Sequence, residues 1–253
     1  MQNTLLKQFI FSLFYLALFA GVVYGGYLVL RPASSCFDGK QNQNEEEIDC
    51  GGVCASCALK HLVPITADPA VLFASSNGAV SVLLTLKNAN ATFGANSVSY
   101  RIDVLDGTGD VLSSSLQETF VYPSEIKTFV VSGIPVTGTP VLAVPKVLNV
   151  SWTEAAAFSR PSVKVSEVSL APHPSQPYLI ATGVVVNGNS FPLSSIALSA
   201  MLTDPSGNVA SVSSSLVNDV LPFEARAFTI TIPNAAGLAS DVKLLTVTAA
   251  PLR

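Results

Sequence analysis

Charged side chains are scarce in this sequence. Asp, Glu, Lys and Arg make up 12% of its 253 residues, where roughly a quarter is usual for a soluble domain. The formal net charge is −4, so the basic footprint that nucleic acid needs is missing and no nucleic-acid partner is expected. Histidine is nearly absent: His61 and His173 are the only two. Neither has a partner in the sequence that suggests a triad or a metal pair, although His61 stands close enough to the cysteines to be weighed as a zinc ligand. No nucleophile–base or metal constellation appears, so the sequence predicts no catalytic residue, no cofactor-binding residue and no enzyme. Cysteine is absent after Cys57, and no long helical periodicity follows Leu30.

One long stretch lacks charge altogether. Phe9 to Leu30 is 22 residues without an Asp, Glu, Lys or Arg. A helix needs about 20 apolar residues to cross a bilayer core, so the length fits. A cleaved signal peptide has an apolar core of only about 7–15 residues, and here Arg31-Pro32 follows the run. Ala33 and Ser35 nonetheless have the spacing that a signal peptidase reads, and "SSC" offers Cys36 as a lipidation site. An uncleaved anchor is the expected reading. Lys7 before the run and Arg31 after it nearly balance the positive-inside count. The cysteines and the bulk of the chain decide the orientation: N-terminus cytoplasmic, C-terminal region extracytoplasmic, one span in the cell membrane.

The four cysteines, Cys36, Cys50, Cys54 and Cys57, are spaced C-x13-C-x3-C-x2-C. A four-thiolate zinc site usually pairs two CxxC knuckles, and only Cys54 and Cys57 form one. A redox CxxC is expected near a βαβ pattern, which is lacking. Two disulfides fit the even count and an oxidising compartment. Bridging Cys54 to Cys57 would close a very tight loop, so each is expected to pair with one of Cys36 and Cys50. The loop between the first cysteines is acidic and rich in amides. Asp38 and Asp49 stand at positions 1 and 12 of an EF-hand-length loop with Asn42 at position 5, but Lys40 and Gln43 occupy positions that need a ligand and a glycine. A looser calcium site from Asp38, Asn42, Asn44, Glu45 and Asp49 is left as a candidate beside a plain solvated loop.

The same stretch resembles a short cysteine module of bacterial surface proteins, C-x-D-G-x-x-N-x-x-E…D-C-G-G-x-C-x-x-C. Cys36, Asp38, Gly39, Asn42, Glu45, Asp49, Cys50, Gly51, Gly52, Cys54 and Cys57 carry the match. The resemblance implies an exported, membrane-proximal spacer with no catalytic role.

Beyond the cysteines the chain repeats. Val98, Asp106, Gly109 and Val111 return as Ile196, Asp204, Gly207 and Val209; Pro123, Glu125 and Phe129 return as Pro222, Glu224 and Phe228. A period of that size is a domain length, so two copies of one domain are expected. Within each copy the hydrophobic period is two: Val98, Tyr100, Ile102 and Val104 alternate with Ser99, Arg101 and Asp103, as Ile196, Leu198, Ala200 and Leu202 do with Ala197, Ser199 and Thr203. That is a strand with one buried and one wet face. "DGTG" at Asp106 and "DPSG" at Asp204 carry type I turn residues. Trp152 alternates with Leu148 and Val150 and is assigned to the first core. Glu125 and Glu224 occur in both copies, which points to a turn role rather than a unique catalytic pair.

The fold class expected is all-β: two tandem immunoglobulin-like antiparallel β-sandwiches of roughly seven strands each, after a single N-terminal transmembrane helix and a short cysteine-rich module. The boundaries are 1–8 for a cytoplasmic tail, 9–30 for the helix, 34–60 for a disulfide-rich stalk, 62–154 for the first sandwich and 162–253 for the second. The short joint, Glu154 to Ser162, predicts an end-to-end rod. The sandwiches also resemble FxLYD and late-embryogenesis-abundant-like domains through Asn187, Asp204, Gly207, Pro222, Glu224 and Phe228, echoed by Asn88, Asp106, Gly109, Pro123, Glu125 and Phe129. That resemblance implies a sandwich and names no activity. Functionally, a non-catalytic surface protein presenting its sandwiches for adhesion or assembly is expected, with a protein partner in the envelope or on another surface. The alternative is an accessory subunit of an envelope complex such as a transporter, secretion system or pilus.

Overall fold

The computed structural model describes residues 2–30, 35–42, 44–74, 78–158, 160–176, 178–204, 206–233 and 244–252, with the backbone alone for 2–6, 28–30 and 244–252. Residues 31–34, where cleavage would be signalled, lie outside the described residues, as do Gln43 of the acidic loop and Pro205 of the "DPSG" turn. The chain forms two compact units, Met1–Leu62 and Val63–Arg253.

In the first unit α1 spans Gln2–Leu30. It starts before the uncharged run because the polar residues ahead of Phe9 continue the same helix. Lys7–Tyr27, 21 residues, is long and apolar enough to cross a membrane. Its large side chains, Phe9 to Tyr27, are exposed, and a helix apolar on all sides suits lipid rather than water. The cysteine segment that completes this unit is loop, closed by a 3-10 turn at Cys57–His61 whose N-cap Ser56 accepts a hydrogen bond from the Ala58 amide.

The second unit is a pair of antiparallel sandwiches. In the first, β1 (Thr66–Ala67), β2 (Val71–Ala74), β3 (Ala79–Lys87) and β6 (Ile126–Pro135) make one sheet, and β5 (Val111–Val121), β4 (Phe93–Leu105) and β7 (Leu142–Glu154) make the other. In the second, β8 (Val163–Pro172), β9 (Tyr178–Asn187) and β12 (Ala225–Pro233) face β11 (Val209–Val220), β10 (Leu193–Thr203) and β13 (Leu244–Leu252). The sheet order is the same in both. The first half has seven strands because Pro69, which cannot donate to a ladder, separates β1 from β2 along one edge of β3. The second half keeps that strand whole as β8, with a bulge between Ser166 and Ser169, so it has six described strands where about seven were expected.

Each half buries its own core. Val82, Leu84, Leu86, Val98, Ile102 and Val104 are fully buried in the first, with Trp152 half-buried against them; Ala181, Val185, Ile196, Leu198, Leu202 and Ile232 are fully buried in the second. Val98, Ile102, Val104, Ile196, Leu198 and Leu202 among them are residues that the period-two pattern selects. In β9, Gly183 sits opposite Phe228. A Cβ on Gly183 would lie 2.7 Å from the Phe228 ring, so the glycine is the socket for that ring.

The halves are not arranged end to end. Ala197, Ser199 and Met201 point away from the core that Ile196, Leu198 and Ala200 fill, and their cross-strand partners Leu216, Ser214 and Val212 share that outer face. Val212 is 1% exposed although it lies outside the core cluster. It is covered from the first half, where Leu72, Phe73 and Ser81 line a small gap with it. The Val130 amide on β6 donates to Ser199 Oγ across the junction, 3.2 Å. The first half carries Ser99, Arg101 and Ser114 at the matching positions, with an Arg101–Asp103 ion pair of 2.8 Å. Small and apolar residues let the second half receive a neighbour on this face, and a charged pair keeps the first half's face in water. A short linker alone does not decide the arrangement; the faces do.

Truncating Phe228 to Ala empties the socket over Gly183 and is expected to cost about 3–5 kcal/mol. Chemical denaturation of residues 63–253 and of the variant checks this; equal midpoints would remove Phe228 from the core.

Candidate functional site

The cysteine segment is built by two interleaved bridges, Cys36–Cys54 and Cys50–Cys57. Each of Cys54 and Cys57 therefore pairs with one of Cys36 and Cys50, and all four thiols are consumed. Chain-entropy arguments give a closed loop of this size roughly 3 kcal/mol of stabilisation. A short segment with few buried apolar side chains needs such staples. Gly51 has φ +78, and a Cβ there would lie 2.7 Å from Glu46 Cβ, so this turn between the two bridges requires glycine.

The five calcium candidates fall in one loop, and the carboxylates of Asp38, Glu45 and Asp49 accept from that loop's amides, whereas Asn42 Oδ1 is buried with no hydrogen-bond partner among the described residues. Asp49 accepts from the Asp38 and Gly39 amides at 2.9 and 3.0 Å. Asp38 accepts from the Lys40 amide at 2.9 Å and from Asn42 Nδ2 at 3.0 Å; the Asn42 bond, foremost, holds its carboxyl below the usual carboxylate range. Glu45 is 6% exposed and accepts from the Asn42 amide at 2.9 Å and the Asp49 amide at 3.3 Å. Asn44 takes φ 63 at the bend, a conformation that asparagine tolerates better than most residues. His61 is exposed and lies 3.4 Å from Glu47, while His173 stacks beside Tyr178 with centroids 4.5 Å apart.

In the second unit, one corner recurs. Asn88 Nδ2 donates to the Phe93 and Tyr122 carbonyls; Asn187 Nδ2 donates to those of Phe191, Val220 and Leu221. The residue two further on completes the clamp. Asn90 exchanges two bonds with the Val63 backbone, and Asn189 does the same with Ser162. Glu125 accepts from the Tyr122 amide at 2.7 Å and Glu224 from the Leu221 amide at 2.6 Å, which is the turn role their repetition implied. The second oxygens differ. Glu224 takes Arg226 of its own strand at 2.7 Å, whereas Glu125 takes Arg160 of the linker at 3.2 Å.

Arg160 stands at the mouth of a cleft of about 850 Å³ where the first half's β5 and β6 meet the second half's β10 and β11. Tyr100, Phe120, Tyr122, Phe129 and Leu216 form its apolar lining, and Gln117, Thr119, Ser199, Ser214 and Ser215 its polar lining. Arg160 lies over the Tyr122 ring, 4.5 Å from its centroid. Lys127, 9% exposed, lines the same cleft. Its Nζ donates to Thr119 Oγ1 at 3.0 Å and the Phe120 carbonyl at 2.7 Å, and lies 3.5 Å from the Phe120 centroid. Burial lowers its pKa to about 8, with the Glu125 charge opposing and the Arg160 charge adding to the shift. Burial likewise raises the Tyr100 phenol.

The sequence marked neither Lys127 nor Ser199. Lys127 lies in the core phase of β6, in step with Phe129 and Val131 and opposite Leu86, at a place where a lysine in sequence reads as an interruption of the pattern, and Ser199 is one of many serines in its neighbourhood. The signal that existed was weak: Arg101 at the position matching Ser199, and Arg226 as a local substitute for Arg160.

Two outcomes test this chemistry. Alkylation without reductant is expected to find no free thiol among the four cysteines by mass spectrometry, whereas four alkylatable thiols and stoichiometric zinc would establish the metal alternative. Lys127 gives a pH signature. Its folded pKa lies below the unfolded value of 10.5, so both states are charged at neutral pH and the burial penalty is fully present. As pH rises from about 8 to 10.5 the folded state loses the proton first, and stability rises. Denaturation of the wild type against Lys127→Met is expected to show a relative gain on the order of 2–3 kcal/mol across that window; a flat difference would contradict it. The chain matches no known family model, and no curated protein sequence is similar enough to count as a relative.

Proposed function

We propose that this chain is a non-catalytic, single-pass membrane-anchored envelope protein whose two sandwiches serve adhesion or assembly outside the cytoplasm. The observation that carries the reading is the apolar 21-residue span Lys7–Tyr27 followed by a doubly disulfide-bonded segment. Disulfides persist in oxidising compartments, so the segment after the helix belongs on the extracytoplasmic side and the N-terminus on the cytoplasmic side. The cysteine segment is a membrane-proximal stalk, in keeping with its likeness to a module of bacterial surface proteins.

Duplication of one domain accounts for the two halves. Its support is the shared sheet order and the repeated corner of asparagine and glutamate. The likeness to FxLYD and late-embryogenesis-abundant-like domains gains support from Ser124 (φ 53) and Phe223 (φ 57). Both occupy the place where those domains carry glycine, and both hold the left-handed conformation that favours it. The accessory-subunit alternative differs in its partner rather than its topology.

Protease added to intact, wall-stripped cells is expected to digest the sandwiches, and full protection would reject this orientation. Crosslinking in membranes followed by capture of the chain separates the two roles: a stoichiometric envelope partner assigns the accessory role, and its absence the adhesive one.

A further inference from the structure

The buried ammonium of Lys127 needs a reason. An unpaired charge out of water costs several kcal/mol even after relaxation, yet no ion pair forms at Lys127 among the described residues. The carboxylates nearest along the cleft are committed elsewhere. Glu125 holds the Tyr122 amide and Arg160, and Glu118 at the rim accepts from Ser97 Oγ at 2.6 Å. The ammonium instead rests on neutral acceptors and an aromatic face. On the same cleft, Arg160 keeps 62% of its side chain exposed. The cleft thus brings together a buried cation, an exposed cation, hydroxyls from both halves and an apolar wall from Phe129 and Leu216.

Those groups match one class of ligand. Hydroxyls and amides hydrogen-bond sugar hydroxyls, an aromatic or apolar wall covers the C–H face of a sugar ring, and two cations ask for a carboxylate. A volume of about 850 Å³ is within the range of small-ligand sites. We propose that the cleft between the two sandwiches binds an acidic saccharide, with Lys127 and Arg160 as anchors for its carboxylate and Ser199 and Ser214 as partners for its hydroxyls. The inference goes beyond the membrane-anchored role and does not depend on which side of the membrane the sandwiches occupy. It also gives the junction a purpose: Ser199 comes from the second half and Lys127 from the first, so the site exists only while the halves stay packed.

Titration calorimetry on the full chain in detergent provides the test, with a glucuronate-containing disaccharide, its neutral glucose counterpart and inorganic phosphate as probes. The uronate is expected to bind at least ten-fold more tightly than the neutral sugar and than phosphate. Lys127→Met and Arg160→Gln should each weaken it by ten-fold or more, while circular dichroism melting shows both variants folded. Amide shifts at Val130 and Ser199 on adding the uronate would place it at the junction. Equal affinity for the neutral sugar, phosphate binding as well as the uronate, no uronate binding at millimolar concentration, or folded variants with unchanged affinity would each overturn the proposal. Should Lys127→Met fail to fold, Arg160→Gln decides alone, because its side chain is largely exposed.

Discussion

The side-chain amide of Asn187 is completely buried and donates to three backbone carbonyls, while its Oδ1 accepts from the Asn189 amide at 3.0 Å. Those partners lie at the end of β9, ahead of β10 and at the end of β11. One residue thus ties together the points where the chain passes between the sheets. Burying an amide is costly unless every polar atom is matched, and here the match is available only when all three segments arrive in register. Asn88 imposes the same condition on the first half. The corner glutamates, the left-handed residues before them and the entry of the chain at Val63 and Ser162 follow from it.

That corner also explains how the halves come to pack side by side. Asn90 holds the chain where it enters the first half, and Asn189 holds it at Ser162, directly after the linker. Between them Phe158 packs against Gly94 and Tyr122, filling space that a Cβ on Gly94 would occupy, and Arg160 locks onto Glu125. The linker is therefore fastened along the first half before the second begins. A pinned linker and a small-residue face on β10 and β11 favour lateral packing over a rod.

The cysteine segment works by a different constraint. Its large apolar side chains, Phe37, Ile48 and Val53, stay exposed, so covalent bridges and backbone-directed carboxylates replace packing. Glu45, Asp38 and Asp49 spend their oxygens on loop amides, which fixes the bend without a hydrophobic interior. Three of the acidic side chains that suggest a cation site in the sequence also brace the loop's amides.

Alternation along Val98–Val104 and Ile196–Leu202 was enough to determine the strands and most of the core, because a period of two leaves a single choice of buried face. The uncharged run determined a helix long and apolar enough to cross a membrane, since its length and polarity are read directly from the residues. The cysteine spacing went as far as disfavouring a Cys54–Cys57 bridge, but which of Cys36 and Cys50 each would take was left to the fold of the loop. Nothing local could reveal the junction. Whether Ala197, Ser199 and Val212 meet water or a neighbouring sheet depends on a surface roughly seventy or more residues away in the chain, and a wet face reads the same as a covered one when its residues are small. Lys127 is the clearest case. In sequence a lysine reads as solvent-facing, yet the register of β6 sets it opposite Leu86 and in phase with Phe129, and packing against Phe120 completes its burial.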